Sequence, residues 1–225
     1  MGTETSSEVV RFAPLSEVDG DLGLLTAAEL ARHGRLIAEA DKQAYAAAHV
    51  LVRECAAELL GTTRDEVRIV QRCARCGKTE HGAPSVAGST LRVSLSHTRG
   101  YVAAVAATRP CGIDVETVSR GPDRALSPRE AAWVAGQDDA AYAFTRLWVR
   151  KEALVKAGHG DMAAAQRIDV LVEQTGTHGK HGEMAQARSD QARAGLAPAE
   201  QVGDLGLVEW SDVGFIGAVA VHGLR

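Results

Sequence analysis

Hydrophobic positions along this chain fall into short runs separated by polar and glycine-rich breaks. Between residues 27 and 60 the apolar side chains recur at helical spacing, with a break or bend around Gly34 and Ala40, which predicts a long helical region in two parts. Runs at 67–71, 91–96 and 101–107 predict strands, and the alternation of Ile113 and Val115 with Asp114 and Glu116 predicts another. Ser127-Pro128-Arg129-Glu130 reads as a helix start, a capping box with proline at the first helical position. A second helix carries Trp148 to Lys156 and is stopped by Gly158 and Gly160. A strand at 168–172 then leads into residues 174–200, rich in Gly, His, Gln, Ala and charge. That stretch is expected to be a solvated insertion with a short helix near 186–194.

One run occurs twice. Gly100-Tyr101-Val102-Ala103-Ala104-Val105-Ala106 and Gly214-Phe215-Ile216-Gly217-Ala218-Val219-Ala220 share a glycine, an aromatic, a β-branched residue and a closing Ala-Val-Ala, a hint of duplication. The expected architecture is α+β, two α/β-type subdomains joined near 108–112, with an N-terminal subdomain at 1–109 and a C-terminal one at 110–225.

Composition narrows the function classes. Hydrophobic content of 45% in 225 residues supplies one substantial core or two smaller ones. Residues 1–14 are acidic and polar, unlike a signal peptide, and no apolar run is long enough to span a membrane, so a cytoplasmic protein is expected. A net charge of −4 argues against general nucleic-acid binding, although basic residues cluster at Arg64, Arg68, Arg72, Arg75 and Lys78 and again at Arg146, Arg150, Lys151 and Lys156. Cys73-x-x-Cys76 with His81 and His97 offers half of a zinc site, but a second ligand pair is absent. Reduced loop thiols are the favoured reading.

The chemistry concentrates in two segments. In Gly112-Ile113-Asp114-Val115-Glu116 a strand's two-residue period turns both acids to one side. In the helix, Trp148, Glu152 and Lys156 are four apart and share a face, with Leu147, Leu154 and Val155 expected opposite. Alone, outward acids on a strand are usually a solvated face and a Glu/Lys pair a weak surface ion pair. Together they supply three carboxylates and a lysine, a set suited to magnesium and a phosphate chain.

These segments resemble the signature of the 4′-phosphopantetheinyl transferases, in particular the surfactin-synthetase-activating (Sfp-like) type. That family has a Gly-Ile-Asp-x-Glu strand followed by a Trp-x-x-Lys-Glu-(x)3-Lys helix. Gly112, Ile113, Asp114, Glu116, Trp148, Lys151, Glu152 and Lys156 match every named position. Ser96-His97, closing an alternating strand, is similar to the family's segment for the 3′-phosphate end of coenzyme A. Arg32, and more weakly Lys42, match its basic residue near the nucleotide. One departure stands out: Gly82-Ala83-Pro84 has alanine where the family carries a base, which implies either weaker coenzyme A binding or substitution by Lys78, Arg75 or Arg92.

The resemblance implies a pseudo-twofold pair of similar subdomains with coenzyme A, as substrate, in the cleft between them. It implies magnesium, or manganese, on Asp114, Glu116 and Glu152. Asp114, Glu152 and Lys156 would be catalytic, and Arg32, Lys42, Ser96, His97, Lys151 and Lys156 would bind the coenzyme. Glu152 would act as base, directly or through a metal-bound water, and Lys156 would stabilise the leaving group. The implied reaction transfers 4′-phosphopantetheine to a serine of an apo acyl or peptidyl carrier protein of fatty-acid, polyketide or nonribosomal-peptide synthesis, releasing adenosine 3′,5′-bisphosphate. A monomer is expected. Two other readings stay open: a coenzyme A-binding regulatory protein that has lost transfer, and a Cys/His metal-binding interaction module.

Overall fold

The structure, a computed structural model, describes residues 7–73, 76–78, 82–160, 167–171, 200–202 and 205–223, with backbone alone at Asp123 and at 200–202. Among these residues the fold is mixed α+β, with two antiparallel sheets and four α-helices. Strands β1 (Glu8–Pro14), β2 (Ile69–Gln71), β3 (Pro84–Val86), β4 (Arg92–Thr98) and β5 (Tyr101–Ala107) form one sheet in the order β1-β5-β4-β3-β2. Strands β6 (Cys111–Thr117), β7 (Glu200–Val202), β8 (Leu205–Asp212) and β9 (Phe215–His222) form the other, ordered β6-β9-β8-β7.

The sheets stack face to face, and the side-chain alternation of β5 shows how. Val102, Ala104 and Ala106 point to a core shared with helix α2 (Glu39–Leu60), while Tyr101, Ala103, Val105 and Ala107 point to Ile113 and Val115 of β6 and Val219 and Val221 of β9. All seven β5 residues are buried, which explains a continuous apolar run with no polar face. The second sheet repeats the pattern outward: Ile216, Ala218 and Ala220 of β9 pack on helix α4 (Ala140–Lys156). The order of layers is therefore α2, first sheet, second sheet, α4. Small residues set the spacing on the α2 side, where Ala44, Ala46, Ala47 and Ala48 are all buried.

The helical region breaks where expected, into α1 (Ala27–His33) and α2, and α1 opens with a capping box of Thr26 and Glu29. The Ser127 capping box starts α3 (Pro128–Ala135), with Pro128 in its first turn. The repeated runs both form strands, β5 and β9. Four strands, β1, β3, β7 and β8, were not anticipated. β1 is legible only through its partner: Glu8 to Pro14 pair along the whole of β5, where Arg11 on a half-exposed edge obscures the alternation. The proposed helix near 186–194, and Arg75 and His81, lie outside the described residues.

One expected strand does not form. Residues 168–171 have no ladder partner, because side chains take up their backbone groups. Val170 N donates to Glu130 Oε1 (2.9 Å), Lys151 Nζ donates to the Ile168 carbonyl (2.7 Å) and Arg150 Nη1 to the Val170 carbonyl (2.8 Å). Backbone polarity is thus satisfied inside the fold without a sheet. No helix among the described residues is long and apolar enough to cross a membrane.

Candidate active site between strand β6 and helix α4

Gly112 determines how closely the site is built. A Cβ at this position would stand 2.0 Å from the Ala153 carbonyl oxygen and 2.5 Å from Ala157 N, so only glycine lets β6 lie directly on α4. Two residues on, Asp114 faces the same helix and is 3% exposed. Its Oδ1 accepts from Ser96 Oγ and from Lys156 Nζ, each at 2.7 Å, and Lys156 also donates to the Ile113 carbonyl at 3.1 Å. The other oxygen, Oδ2, is buried without a hydrogen-bond partner. Ser94, two residues before Ser96 on β4, accepts from Ile113 N at 3.2 Å. The first sheet thus holds the acid of the second.

The helix face falls as its spacing predicts. Trp148, Glu152 and Lys156 are all partly buried on the β6 side, and Leu147 and Leu154 enter the core. Val155 departs from expectation: it lines the cleft described below. Burial and the negative charge of Asp114 push Glu116 up to about 7, against the opposing pull of Lys156. Burial and Asp114 also raise Glu152. The three carboxylates therefore lie in one another's field, with Lys156 as their near countercharge. Among the described residues no three His, Cys, Asp or Glu side chains are gathered tightly enough to form a finished metal cage.

Cavities open on both sides of this cluster. The larger, about 450 Å³, is lined by Arg32 of α1, Tyr45 and His49 of α2, Ser96 and His97 of β4, Ala83, and Lys156, and has no acidic residue in its wall. The smaller, about 240 Å³, lies beside Glu116, Trp148, Phe144 and Gly121. Burial lowers the pKa of His97, helped by the positive charges of His49 and Lys156. Four expected binders, Arg32, Ser96, His97 and Lys156, share the larger cleft. Ser96 has a second task, since its hydroxyl is given to Asp114.

Two expected binders sit elsewhere. Lys42 is partly buried, pairs with Glu39 at 3.5 Å and does not line the cleft. Lys151 corrects the motif-based expectation. Its ammonium lies 2.8 Å from Glu130 Oε2, with both side chains 0% exposed, so it braces α3 against α4 and does not reach a phosphate in the cleft. Its neighbour Arg150 is likewise 2% exposed and bonded to Glu209 and the Val170 carbonyl, and so is not part of a basic rim. The reason is periodicity: Lys151 and Arg150 lie off the Trp148-Glu152-Lys156 face and point into the core behind it. Lys78 and Arg92 are exposed and absent from the wall beside Ala83. Tyr45 and His49 were missed because they sit in an alanine-rich helical run that reads as pure core.

The arrangement combines a buried acid cluster with a lysine at the mouth of a cationic cleft, the features of a site acting on phosphate anhydrides. Residues 110–195, which include β6, α3 and α4, match the family model of the 4′-phosphopantetheinyl transferase superfamily. The match supports a transferase and covers every carboxylate of the cluster. No curated protein matches the sequence.

Proposed function

We propose that the protein transfers the 4′-phosphopantetheine group of coenzyme A to a serine hydroxyl of an apo acyl or peptidyl carrier protein. The observation that carries this reading is Lys156, which ties Asp114 to a cleft whose charged wall residues are all basic, with Glu116 and Glu152 in the field of Asp114. We further read the stacked sheets as the two similar subdomains, 1–109 and 110–225, of an Sfp-like enzyme.

The carboxylates fit a hard divalent cation. Asp114 Oδ2 is an oxygen donor left buried and unpartnered, and Glu116 and Glu152, raised by burial and then by the charge of Asp114, lie in its field. Asp114, Glu116 and Glu152 would hold magnesium, which supplies neutralisation of the pyrophosphate charge when bound.

The residues of the chain do the rest. Arg32 and His97 hold the nucleotide end in the cleft. Lys156, within reach of both Asp114 and the cleft, meets the developing charge of the leaving group. Glu152 takes the proton from the carrier serine as its oxygen attacks the phosphorus nearer the pantetheine. The bond from that phosphorus to the bridging oxygen breaks, and the bridging oxygen leaves with adenosine 3′,5′-bisphosphate.

The test is incubation with magnesium, coenzyme A and a panel of purified apo-carrier domains, read by intact mass. A carrier that gains phosphopantetheine, with no gain for Asp114→Ala or after chelation, is the expected result. Coenzyme binding with no carrier modified would instead identify a regulatory protein.

A further inference from the structure

The larger cleft contains a histidine that the motif does not account for. His49 projects from the middle of α2, is 4% exposed, and lines the wall with His97 and Arg32. Its Nδ1 lies 2.8 Å from Glu29 Oε1, a charge contact off the direction of an ideal hydrogen bond. Glu29 is itself clamped: its Oε2 accepts from Arg53 Nη2 at 2.7 Å and from Thr26 N at 2.7 Å. Tyr45 packs against both histidines, its ring centroid 4.3 Å from that of His49 and 5.9 Å from that of His97.

The donor and acceptor inventory makes this specific. An ionised carboxylate only accepts, so a proton shared across the contact sits on Nδ1 of His49, which leaves Nε2 as the ring's second polar atom. A phosphate oxygen also only accepts. A ring that joins Glu29 to a phosphate must therefore be an imidazolium, donating from both nitrogens. Burial opposes charge on Glu29, but the contact with His49 and the bonds from Arg53 and Thr26 outweigh it and hold the carboxyl at about 2, so it is ionised throughout the working range. Ala83 lines the same cleft as these rings.

We propose that His49, oriented by Glu29, is a second histidine contact to the phosphate monoester end of the coenzyme, supplying the cationic donor absent at Ala83. This rests on the coenzyme reading above. The groups facing His49 are Glu29 and Arg32 from α1, Tyr45 and Arg53 from α2, and His97 from β4.

The experiment measures calorimetric affinity of wild type and His49→Gln for coenzyme A and for 3′-dephospho-coenzyme A. Loss of a charged hydrogen bond should weaken coenzyme A about tenfold or more and leave the dephospho form unchanged. Equal weakening of both, or of neither, overturns the proposal and leaves His49 as cleft wall. Should wild type bind neither coenzyme, the functional reading fails first and takes this one with it. If His49→Gln does not fold, nitrogen-15 spectra of wild-type His49 decide. Protonation of both ring nitrogens with coenzyme A but not with the dephospho form supports the contact, and identical spectra in the two complexes refute it.

Discussion

Replacing Lys151 by methionine separates a bracing role from a phosphate-binding one. In the folded protein its ammonium and the Glu130 carboxylate are 2.8 Å apart and both fully buried, and the same carboxylate also accepts from Ser127 N and Val170 N. Lys151→Met keeps most of the aliphatic stem but leaves a carboxylate charge with no counterion inside the core. Breaking one partner of such a pair costs about 3–5 kcal/mol. Against a total stability of roughly 5–15 kcal/mol, that is a large share. With a urea dependence of about 2–3 kcal/mol per molar, the unfolding midpoint should fall by about 1–2.5 M. The double variant Lys151→Met/Glu130→Gln should recover much of the loss, because the orphan charge is gone. The assay is urea unfolding followed by circular dichroism, alongside coenzyme A affinity measured well below the transition. An unchanged midpoint with coenzyme A binding weakened tenfold would falsify the bracing role and return Lys151 to the substrate site.

Three further outcomes follow from the geometry. Glu29 has its folded pKa held at about 2, below its ordinary 4.5, so its contribution of about 3 kcal/mol is fully present above 4.5 and fades as pH falls toward 2. Thermal unfolding of Glu29→Gln should accordingly show a flatter stability profile across that acid range than wild type, and parallel profiles would refute the linkage. Gly112→Ala forces a methyl into the Ala153 carbonyl, so it should cost at least about 1–3 kcal/mol and spread β6 from α4, abolishing transfer. A fully active, equally stable Gly112→Ala protein would show that the two elements can separate freely. Arg68 and Arg72 are exposed, unlike Arg150, so their joint reversal to glutamate should raise the Michaelis constant for an acidic carrier and leave that for coenzyme A unchanged. If both constants rise together, the docking surface lies elsewhere.

The parts of the fold that could be read in the sequence are those where local chemistry speaks for itself. The capping box at Ser127, glycine stops after Lys156, and the alternation in β6 each carry their cause within a few residues. The site followed for the same reason: a strand period and a helix period fix which way Asp114, Glu116, Glu152 and Lys156 point. What could not be read depended on partners distant in the chain. β1 is defined by β5 nearly a hundred residues later, and the 168–171 segment is held by side chains from α3 and α4. Lys151 misled for an instructive reason: motif position says that a lysine is present, but only the packing of Glu130 shows that its charge is already answered inside the core. His49 was hidden by composition, a single imidazole among alanines.

Ser94 and Ser96 act as two pegs, two residues apart on the same face of β4, that seat it against β6 although no ladder joins those strands. One peg holds a backbone amide and the other a carboxylate, so the seat is defined in both position and rotation. Sliding one sheet over the other would pull both pegs at once and drag Asp114 out of line with Lys156. The seam between the sheets is therefore a fixed bearing, set by side chains rather than by a ladder.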